Sequence, residues 1–463
     1  MKTLTLSLIL IFSLSMLKAQ DISGKWQGTI EFPGAQLNIV FNIEKTDEGY
    51  TSTLDSPDQG AYGIPVDKTT VNGNELNIEA SALTLRFSGI FNGEQIEGTF
   101  SQAGLDIPLV LSRRDSDEIS LIRSQEPIPP FPYHSEDIIF RNEGAGINLA
   151  GTLTFPSEGG KFPAVVLISG SGPQNRDEQV FGHKPFLVLS DYLTRNSIAV
   201  LRFDDRGFAH SEGNHSTATS EDFATDVESA VAYLKTRKEI DSKKIGLIGH
   251  SEGGLIAPMV AARNNEIAFI VLLAGPGISG LELLPLQSEL IARASGISDN
   301  DIQKSLHINK QIFEMVSQST DMEKLKTELT KFFKNMPPED FPGGKLNDEM
   351  ITMQVNQLAT PWMRYFLNFN PAISLEKVKC PVLAANGEKD LQVPPKENLN
   401  TIEAALKRGG NKNVNIIEFP GLNHMFQECE TGSPTEYSRI EQTFAPVALD
   451  KISNWIVEVS ISQ

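Results

Sequence analysis

A serine framed by glycines is the first feature of this sequence that could do chemistry. Residues 249–253 read GHSEG and match the pattern G-x-S-x-G. An apolar run at 244–248 is typical of a buried strand, and residues 255–262 are typical of a helix. A sharp strand-to-helix turn leaves no room for side chains two positions either side of the serine. The spacing therefore predicts a nucleophilic Ser251 at a helix N-terminus, where backbone N–H groups stabilise negative charge.

A serine hydroxyl is a weak nucleophile, so it needs a general base that an acid orients. In strand–turn–helix folds of this kind the acid and then the histidine follow later in the chain. Asp390 follows an apolar run at 382–385 and is the predicted acid, with Glu388, nearer the strand end, as its competitor. His424 follows the next run, at 414–419, and is the predicted base.

Acyl transfer also needs two N–H donors for the oxyanion that forms on the substrate carbonyl. One is predicted to be the backbone N–H of Glu252, directly after the nucleophile. The other is predicted to be the N–H of Ser171, in the glycine-containing loop 169–173, where backbone can approach a ligand closely. His250 adjoins the nucleophile on the same turn, and we expect it to have a packing role.

Strands alternating with helices must position these residues, and that pattern runs from about residue 136 to residue 463. Such alternation predicts an α/β fold with a mostly parallel sheet covered by helices on both faces. Residues 276–371 interrupt it with a helical pattern and are predicted to form a cap above the carboxyl edge of the sheet. Trp362 and Phe366 are predicted to line an apolar acyl pocket in this cap. The alternative is that the cap's aromatic residues form its own core.

Three segments precede this region. Residues 1–19 combine a basic start, a short apolar run and Ala19, which predicts a cleaved signal peptide and an exported protein, periplasmic or secreted. After cleavage no membrane segment is expected. Residues 21–112 predict a small all-β domain, a sandwich or a barrel of roughly six to eight strands. Residues 113–135 are proline-rich and predict a stiff linker.

Composition excludes several classes of function. The chain has 463 residues, with 59 acidic against 40 basic side chains and a formal charge of -19, so a nucleic-acid partner is not expected. The two cysteines, Cys380 and Cys429, are too few for a disulfide scaffold or a zinc site. They are predicted to lie at opposite sheet edges as free thiols. No motif for a metal, a nucleotide or a flavin is present, so no cofactor is expected.

The turn at residues 249–253, here called the elbow, resembles the α/β-hydrolase superfamily together with the predicted acid Asp390 and the predicted base His424. More narrowly, the chain resembles exported bacterial serine esterases of the EstD type, in a serine aminopeptidase-like hydrolase domain. The resemblance rests on QEPIPPFPY (125–133), ISGSGPQNRDE (168–178), FDDRG (203–207), GHSEGG (249–254), PWMRYF (361–366), NGEKDLQVP (386–394) and GLNHMFQ (421–427). It implies the triad roles for Ser251, Asp390 and His424. The oxyanion loop departs from the His-Gly of many hydrolases, because Ser169-Gly170 stands there.

These residues predict a serine carboxylic ester hydrolase that cleaves small or short-chain acyl esters through an acyl-enzyme. A peptidase or amidase with the same triad is the enzymatic alternative. A non-catalytic acyl-ligand binding protein on a hydrolase scaffold is the other. The charged pieces at 176–177 and 204–206 are interpreted as buried ion pairs that brace the loops of the site, in preference to substrate ligands.

Overall fold

The computed structural model describes residues 21–461 apart from 33–34, 47–48, 57–60, 84, 103–104, 115–122, 158 and 338–346. The predicted signal peptide, residues 1–19, lies outside the described residues. The described chain forms two units, residues 21–114 and 123–461, and each has its own hydrophobic core. None of the helices described here has the length and hydropathy needed to cross a membrane.

The first unit is an all-β barrel. Its described strands are β1 (Gly24–Phe32), β2 (Ala35–Thr46), β3 (Gly49–Ser56), β4 (Ala61–Pro65), β5 (Lys68–Asn72), β6 (Glu75–Ala80), β7 (Leu85–Phe91), β8 (Gln95–Gln102) and β9 (Leu105–Arg114). They pair antiparallel in the order β2-β1-β9-β8-β7-β6-β5-β3-β4, and a further pairing of β2 with β3 closes the sheet. The prediction of six to eight strands was too low, because β4 and β5 have only five residues each.

Side chains alternate between the core of the barrel and solvent. Strand β7 alternates buried and exposed residues without a break, as expected for a sheet with one buried face. Trp26 is fully buried in this core and its indole N–H donates to the carbonyl of Ile22 at 2.8 Å. A tight hairpin turn joins β7 to β8. There Asn92 Oδ1 accepts from two backbone N–H groups and Gly93 adopts φ +109°.

The second unit is built on a mixed eight-stranded sheet. Its strands are β10 (Tyr133–Asn142), β11 (Ile147–Pro156), β12 (Phe162–Ile168), β13 (Ala199–Phe203), β14 (Ile240–His250), β15 (Ile270–Leu273), β16 (Val382–Gly387) and β17 (Val414–Phe419). They lie in the order β10-β11-β13-β12-β14-β15-β16-β17. From β13 to β17 all neighbours are parallel, and β10 and β11 form an antiparallel edge. The predicted mostly parallel sheet is confirmed.

Helices cover both faces of this sheet. One face packs against α2 (Ser220–Thr236), α3 (Glu252–Ala261) and α10 (Pro395–Arg408). The other packs against α1 (Pro185–Arg195) and α11 (Pro446–Ile461). Within β12, Val166 belongs to the first core and its neighbour Val165 to the second. Both are fully buried, which explains why the run is continuously apolar.

The segment between β15 and β16 is helical, as the pattern of residues 276–371 predicted. It contains α4 (Gly280–Ala294), α5 (Asp299–Gln318), α6 (Met322–Asn335), α7 (Asp348–Leu358), α8 (Pro361–Asn368) and α9 (Ala372–Leu375). Phe313 and Phe333 are buried in a core that belongs to the cap alone. A cavity of about 330 Å³ lies beside that core, with Leu284, Ile312 and Met363 in its wall.

The last part of the predicted linker, residues 123–133, is attached to the second unit. Arg123 is 3% exposed, and its guanidinium donates to the carbonyl of Ser438 and to the carboxylate of Glu441. The side-chain amide of Gln125 donates to the carbonyl of Phe444 at 2.7 Å. This stretch therefore closes against the C-terminal part of the second unit, where the sequence predicted a spacer.

Candidate active site

Ser251 occupies a tight turn between β14, which ends at His250, and α3, which begins at Glu252. Its φ is +50°, in the left-handed region that a residue with a side chain rarely adopts. A Cβ on Gly249 would lie 1.9 Å from the carbonyl oxygen of Gly253, and a Cβ on Gly253 would lie 2.1 Å from that of Ile168. The turn thus requires glycine at both positions, and it raises Ser251 above the sheet.

Asp390 and His424 are joined by a buried hydrogen bond. His424 Nδ1 lies 2.9 Å from Asp390 Oδ2, and the two residues are 4% and 2% exposed. The second carboxylate oxygen of Asp390 accepts from the backbone N–H groups of Gln392 and Val393, each at 2.8 Å. These bonds fix the carboxylate so that it faces the imidazole, which is the orientation that an orienting acid needs.

The loop that carries His424 is held by Asn423. This residue is fully buried, and its Oδ1 accepts from the backbone N–H groups of Met425 and Gln427 at 3.0 and 2.9 Å. Its side-chain amide donates to Gln427 Oε1 at 3.0 Å. Phe426 takes a positive φ in the same turn. These side-chain hydrogen bonds to the backbone of the same loop take the place of the backbone–backbone bonds of a helix or a sheet.

The loop after β12 approaches the nucleophile from the other side. A Cβ on Gly170 would meet the Cβ of Ser251 at 3.3 Å, so the two backbones lie close together. The N–H of Gly170 donates to Glu178 Oε1 at 2.7 Å. Within the described residues, the N–H groups of Ser171 and Glu252 donate to no acceptor. These are the two donors that the sequence predicted for an oxyanion.

The carboxyl of Glu252 joins three helices below the nucleophile. It is 2% exposed and accepts from the hydroxyl of Ser220 at 2.6 Å and from the indole N–H of Trp362 at 2.8 Å. Burial raises the pKa of Glu252 above its usual range, although both hydrogen bonds act against that rise. The two donors lie on α2 and α8, so the cap is bonded to the helix that begins at the nucleophile.

The aromatic residues predicted to bind substrate face the body of the protein as well as the cap. Trp362 and Phe366 stack with ring centroids 5.1 Å apart. Phe366 is 6% exposed and belongs to the core beneath the cap, where it also contacts Gly280. Trp362 is half-buried and uses its N–H on Glu252.

The charged residues near the site form mostly internal pairs. Arg176 binds Asp204 through two guanidinium nitrogens, and Arg206 binds Asp226 at 2.6 Å. Asp205 instead accepts from the hydroxyl of Ser169 at 2.7 Å and from a backbone N–H. Burial raises the pKa of Asp205 well above its usual range. In the part of the chain that the structure describes, no cluster of His, Cys, Asp or Glu side chains is arranged to hold a metal ion.

The comparisons with known proteins agree with this geometry. A family model described as BAAT / Acyl-CoA thioester hydrolase C terminal matches residues 227–429. Esterase EstD of Thermotoga maritima is 29% identical over 315 residues, which is 67% of this chain and 66% of EstD, just under two thirds of that esterase. The chain has the α/β-hydrolase fold and is similar to EstD. Its similarity to an esterase agrees with the resemblance that its motifs predicted.

Solved structures with a similar chain path include two named hydrolases. The esterase Pf2001 of Pyrococcus furiosus is 16% identical, with a TM-score of 0.44, and the match covers 71% of this chain and 92% of that chain. The α/β hydrolase GrgF from Penicillium sp. sh18 is also 16% identical, with a TM-score of 0.44, and 71% and 98% are covered.

Two residues of the candidate site were missed or undervalued from the sequence. His250 was expected to pack, yet both of its ring nitrogens are hydrogen-bonded, to Glu178 and to the backbone of His424. Glu178 was not singled out at all. The available signal was its place at the end of ISGSGPQNRDE, eight residues after the glycine whose N–H it binds.

Proposed function

We propose that this protein is a serine carboxylic ester hydrolase that cleaves small or short-chain acyl esters. The observation that carries the proposal is the buried hydrogen bond of 2.9 Å between His424 and Asp390 at the sheet edge where Ser251 stands on its strained turn. A buried acid that orients a histidine is the arrangement that makes a serine hydroxyl nucleophilic.

The proposed reaction has two halves. Ser251 Oγ attacks the ester carbonyl while His424 Nε2 takes its proton, and the N–H groups of Glu252 and Ser171 bind the oxyanion. Collapse breaks the bond to the alcohol, which leaves with the proton from His424, and an acyl-enzyme remains. Water then attacks the acyl carbon with His424 again as the base, and the carboxylic acid is released. Asp390 keeps the imidazole in one tautomer throughout.

The proposal is tested with p-nitrophenyl esters of increasing chain length on the full-length protein. We expect turnover that is highest for short acyl chains and is abolished in Ser251→Ala. Ser242→Ala is the matched control, because Ser242 is exposed on β14 and far from the elbow in the chain. Ester turnover that survives in Ser251→Ala would reject the assignment of the nucleophile.

A second candidate is favoured by the family model, which describes acyl-CoA thioester hydrolases and matches residues 227–429. The same serine chemistry acts on a thioester, because only the leaving group differs. Short acyl-CoA substrates belong in the same assay series, and a kcat/KM for thioesters well above that for oxygen esters would favour this candidate. Amino-acid p-nitroanilides test the peptidase or amidase alternative.

The non-catalytic alternative is an acyl-ligand binding protein. A serine-directed fluorophosphonate separates it from the enzyme, because only an activated serine reacts quickly. We expect labelling of Ser251 in folded protein and its loss after unfolding. Labelling no faster than that of free serine would favour the binding protein.

We also propose that the protein is exported and acts on a small-molecule substrate outside the cytoplasm. The support is the sequence pattern of residues 1–19. N-terminal sequencing of the mature protein from a bacterial host tests this, and a mature chain that keeps residues 1–19 would contradict it.

A further inference from the structure

A second carboxylate–imidazole pair lies beside the proposed triad. His250 Nδ1 is 2.9 Å from Glu178 Oε1, and these residues are 7% and 3% exposed. The ring of His250 also lies against the ring of His424, with centroids 4.8 Å apart. The proposed mechanism uses neither His250 nor Glu178, although both are buried next to groups that it does use.

The contacts of His250 determine where its protons are. Nε2 lies 3.0 Å from the backbone carbonyl oxygen of His424, and a carbonyl can only accept, so Nε2 carries a proton. Glu178 Oε1 already accepts the N–H of Gly170 at 2.7 Å and acts as an acceptor there. Nδ1 faces the same carboxylate oxygen, and when it donates to that oxygen as well the ring is an imidazolium.

The electrostatics of the pair agree with that assignment. Burial on its own would lower the pKa of His250, but the charge of Glu178 and its hydrogen bond, together with smaller contributions, leave this pKa raised. The bond to the His424 carbonyl and the charge of Asp390 act in the same direction. The ionisable groups that face the imidazole are therefore Glu178, Asp390 and the His424 side chain.

The pair connects three loops that meet at the nucleophile. His250 stands at the end of β14, Glu178 lies in the loop after β12 next to the oxyanion donors, and His424 lies in the loop after β17. Glu178 also adopts φ +50°, a conformation that costs energy for a residue with a side chain. Strain at a residue that bonds both Gly170 and His250 indicates a constraint on function.

We propose that His250 and Glu178 are positioning residues that hold the oxyanion loop and the backbone of His424 in place around Ser251. This inference rests on the proposed function. The His250 imidazolium donates to His424 through one nitrogen and to Glu178 through the other. Glu178 in turn fixes Gly170, the residue before the proposed donor Ser171.

Kinetics with short p-nitrophenyl esters test the positioning role. His250→Phe and Glu178→Gln are expected to lower kcat on the order of 10- to 100-fold with little change in KM, because a small misplacement of catalytic groups costs rate. His250→Gln should recover part of the loss, because its amide can still donate to the His424 carbonyl. His307→Gln, on an exposed histidine of the cap, is the control. An unchanged kcat in His250→Phe, Glu178→Gln and His250→Gln would overturn the proposal.

Nitrogen-15 NMR of the histidine rings tests the protonation state without any turnover. At pH 7.5 about 90% of free imidazole is neutral. We expect one ring, whose signals vanish in His250→Gln, to carry protons on both nitrogens at that pH in the native protein. A neutral His250 ring would overturn the inference even if ester hydrolysis is confirmed. Absence of ester turnover in the wild-type protein would reject the proposed function and leave the ring assignment standing.

Discussion

At the residue scale, hydrogen bonds distinguish the two carboxylates, Asp390 and Glu388, that the sequence offers as the acid of the triad. Asp390 is buried and accepts from His424, from Asn386 and from two backbone N–H groups. Glu388 is exposed and accepts from the N–H of Gly421. Only the first of these carboxylates contacts the imidazole, so the proposed role of acid stays with Asp390.

The substitution Asp390→Asn tests this choice. An amide in place of the carboxylate no longer stabilises the imidazolium and favours the wrong tautomer, so we expect kcat to fall by roughly 10³ to 10⁴. Glu388→Gln is the matched control and should keep the wild-type kcat. The measurement is the steady-state rate on a short p-nitrophenyl ester. A larger loss in Glu388→Gln than in Asp390→Asn would reverse the assignment.

The sequence predicted Asp390 and His424 because each follows an apolar strand and their order is that of the fold. It could not predict the pair of His250 with Glu178, which joins positions 72 apart in the chain. His250 closely follows an apolar run, but that position indicates only that it adjoins Ser251, and Glu178 lies well beyond the end of β12. Only the packing of the loop after β12 against the elbow brings the two side chains together.

At the element scale, the turn at Ser251 depends on backbone contacts that a methyl group would block. Gly253→Ala would place a Cβ 2.1 Å from the carbonyl oxygen of Ile168, inside a fully buried region. We expect a loss of at least about 3 kcal/mol in the free energy of unfolding, because the core must shift to admit the methyl. Urea unfolding followed by circular dichroism measures this.

Gly159→Ala is the control for that substitution. Gly159 is exposed, and a Cβ there meets nothing within 4 Å. Its free energy of unfolding should stay within about 0.5 kcal/mol of wild type. If Gly253→Ala is no less stable than Gly159→Ala, the close approach of the elbow to β12 is not as described.

Glu252 makes the stability of the helix junction depend on pH. Its pKa is raised in the folded state, so its contribution to stability is present below its unfolded pKa and is lost as the pH rises through the folded pKa. Glu252→Gln can accept the same two hydrogen bonds without ionising. We expect this variant to gain stability relative to wild type as the pH rises from 5 to 8. Thermal midpoints across that range give the difference, and a gain that shrinks with pH would contradict it.

The elements themselves were predictable to different degrees. Strands β12 to β16 were visible because each contains a buried apolar run, whereas β17 is only partly buried. In the cap, the sequence could not decide whether Phe313 and Phe333 line a ligand pocket or pack in the cap's own core. Helical periodicity shows which face of a helix is apolar but not what that face packs against. The structure places both in the cap's own core.

At the scale of the whole molecule, each proposed catalytic residue and each hydrogen-bond partner described for it lies in the second unit. A fragment of residues 119–463 is therefore expected to keep the kcat of the full-length protein on short esters. The same fragment with Ser251→Ala serves as the blank. A folded fragment with a strongly reduced kcat would mean that the barrel contributes to catalysis.

The two cysteines were predicted to be free, and Cys380 and Cys429 are unpaired. In unfolded protein kept without reductant, both thiols should react with a chromogenic disulfide reagent. In the native state Cys380 should react slowly, because burial raises its pKa to about 12 and leaves little thiolate at neutral pH. Rapid labelling of Cys380 in native protein would contradict this.

The contact between Gln125 and Phe444 bears on the order in which parts of the second unit fold during synthesis. It closes a loop of 319 residues, and its two ends leave the ribosome far apart in time. Strands β10 to β17 are all made before residue 444 is available, so we expect residues 123–126 to dock late onto the segment that precedes α11. Contacts of such long range are slow to form. In a chain halted shortly before Phe444, the barrel should be folded while the second unit remains sensitive to protease.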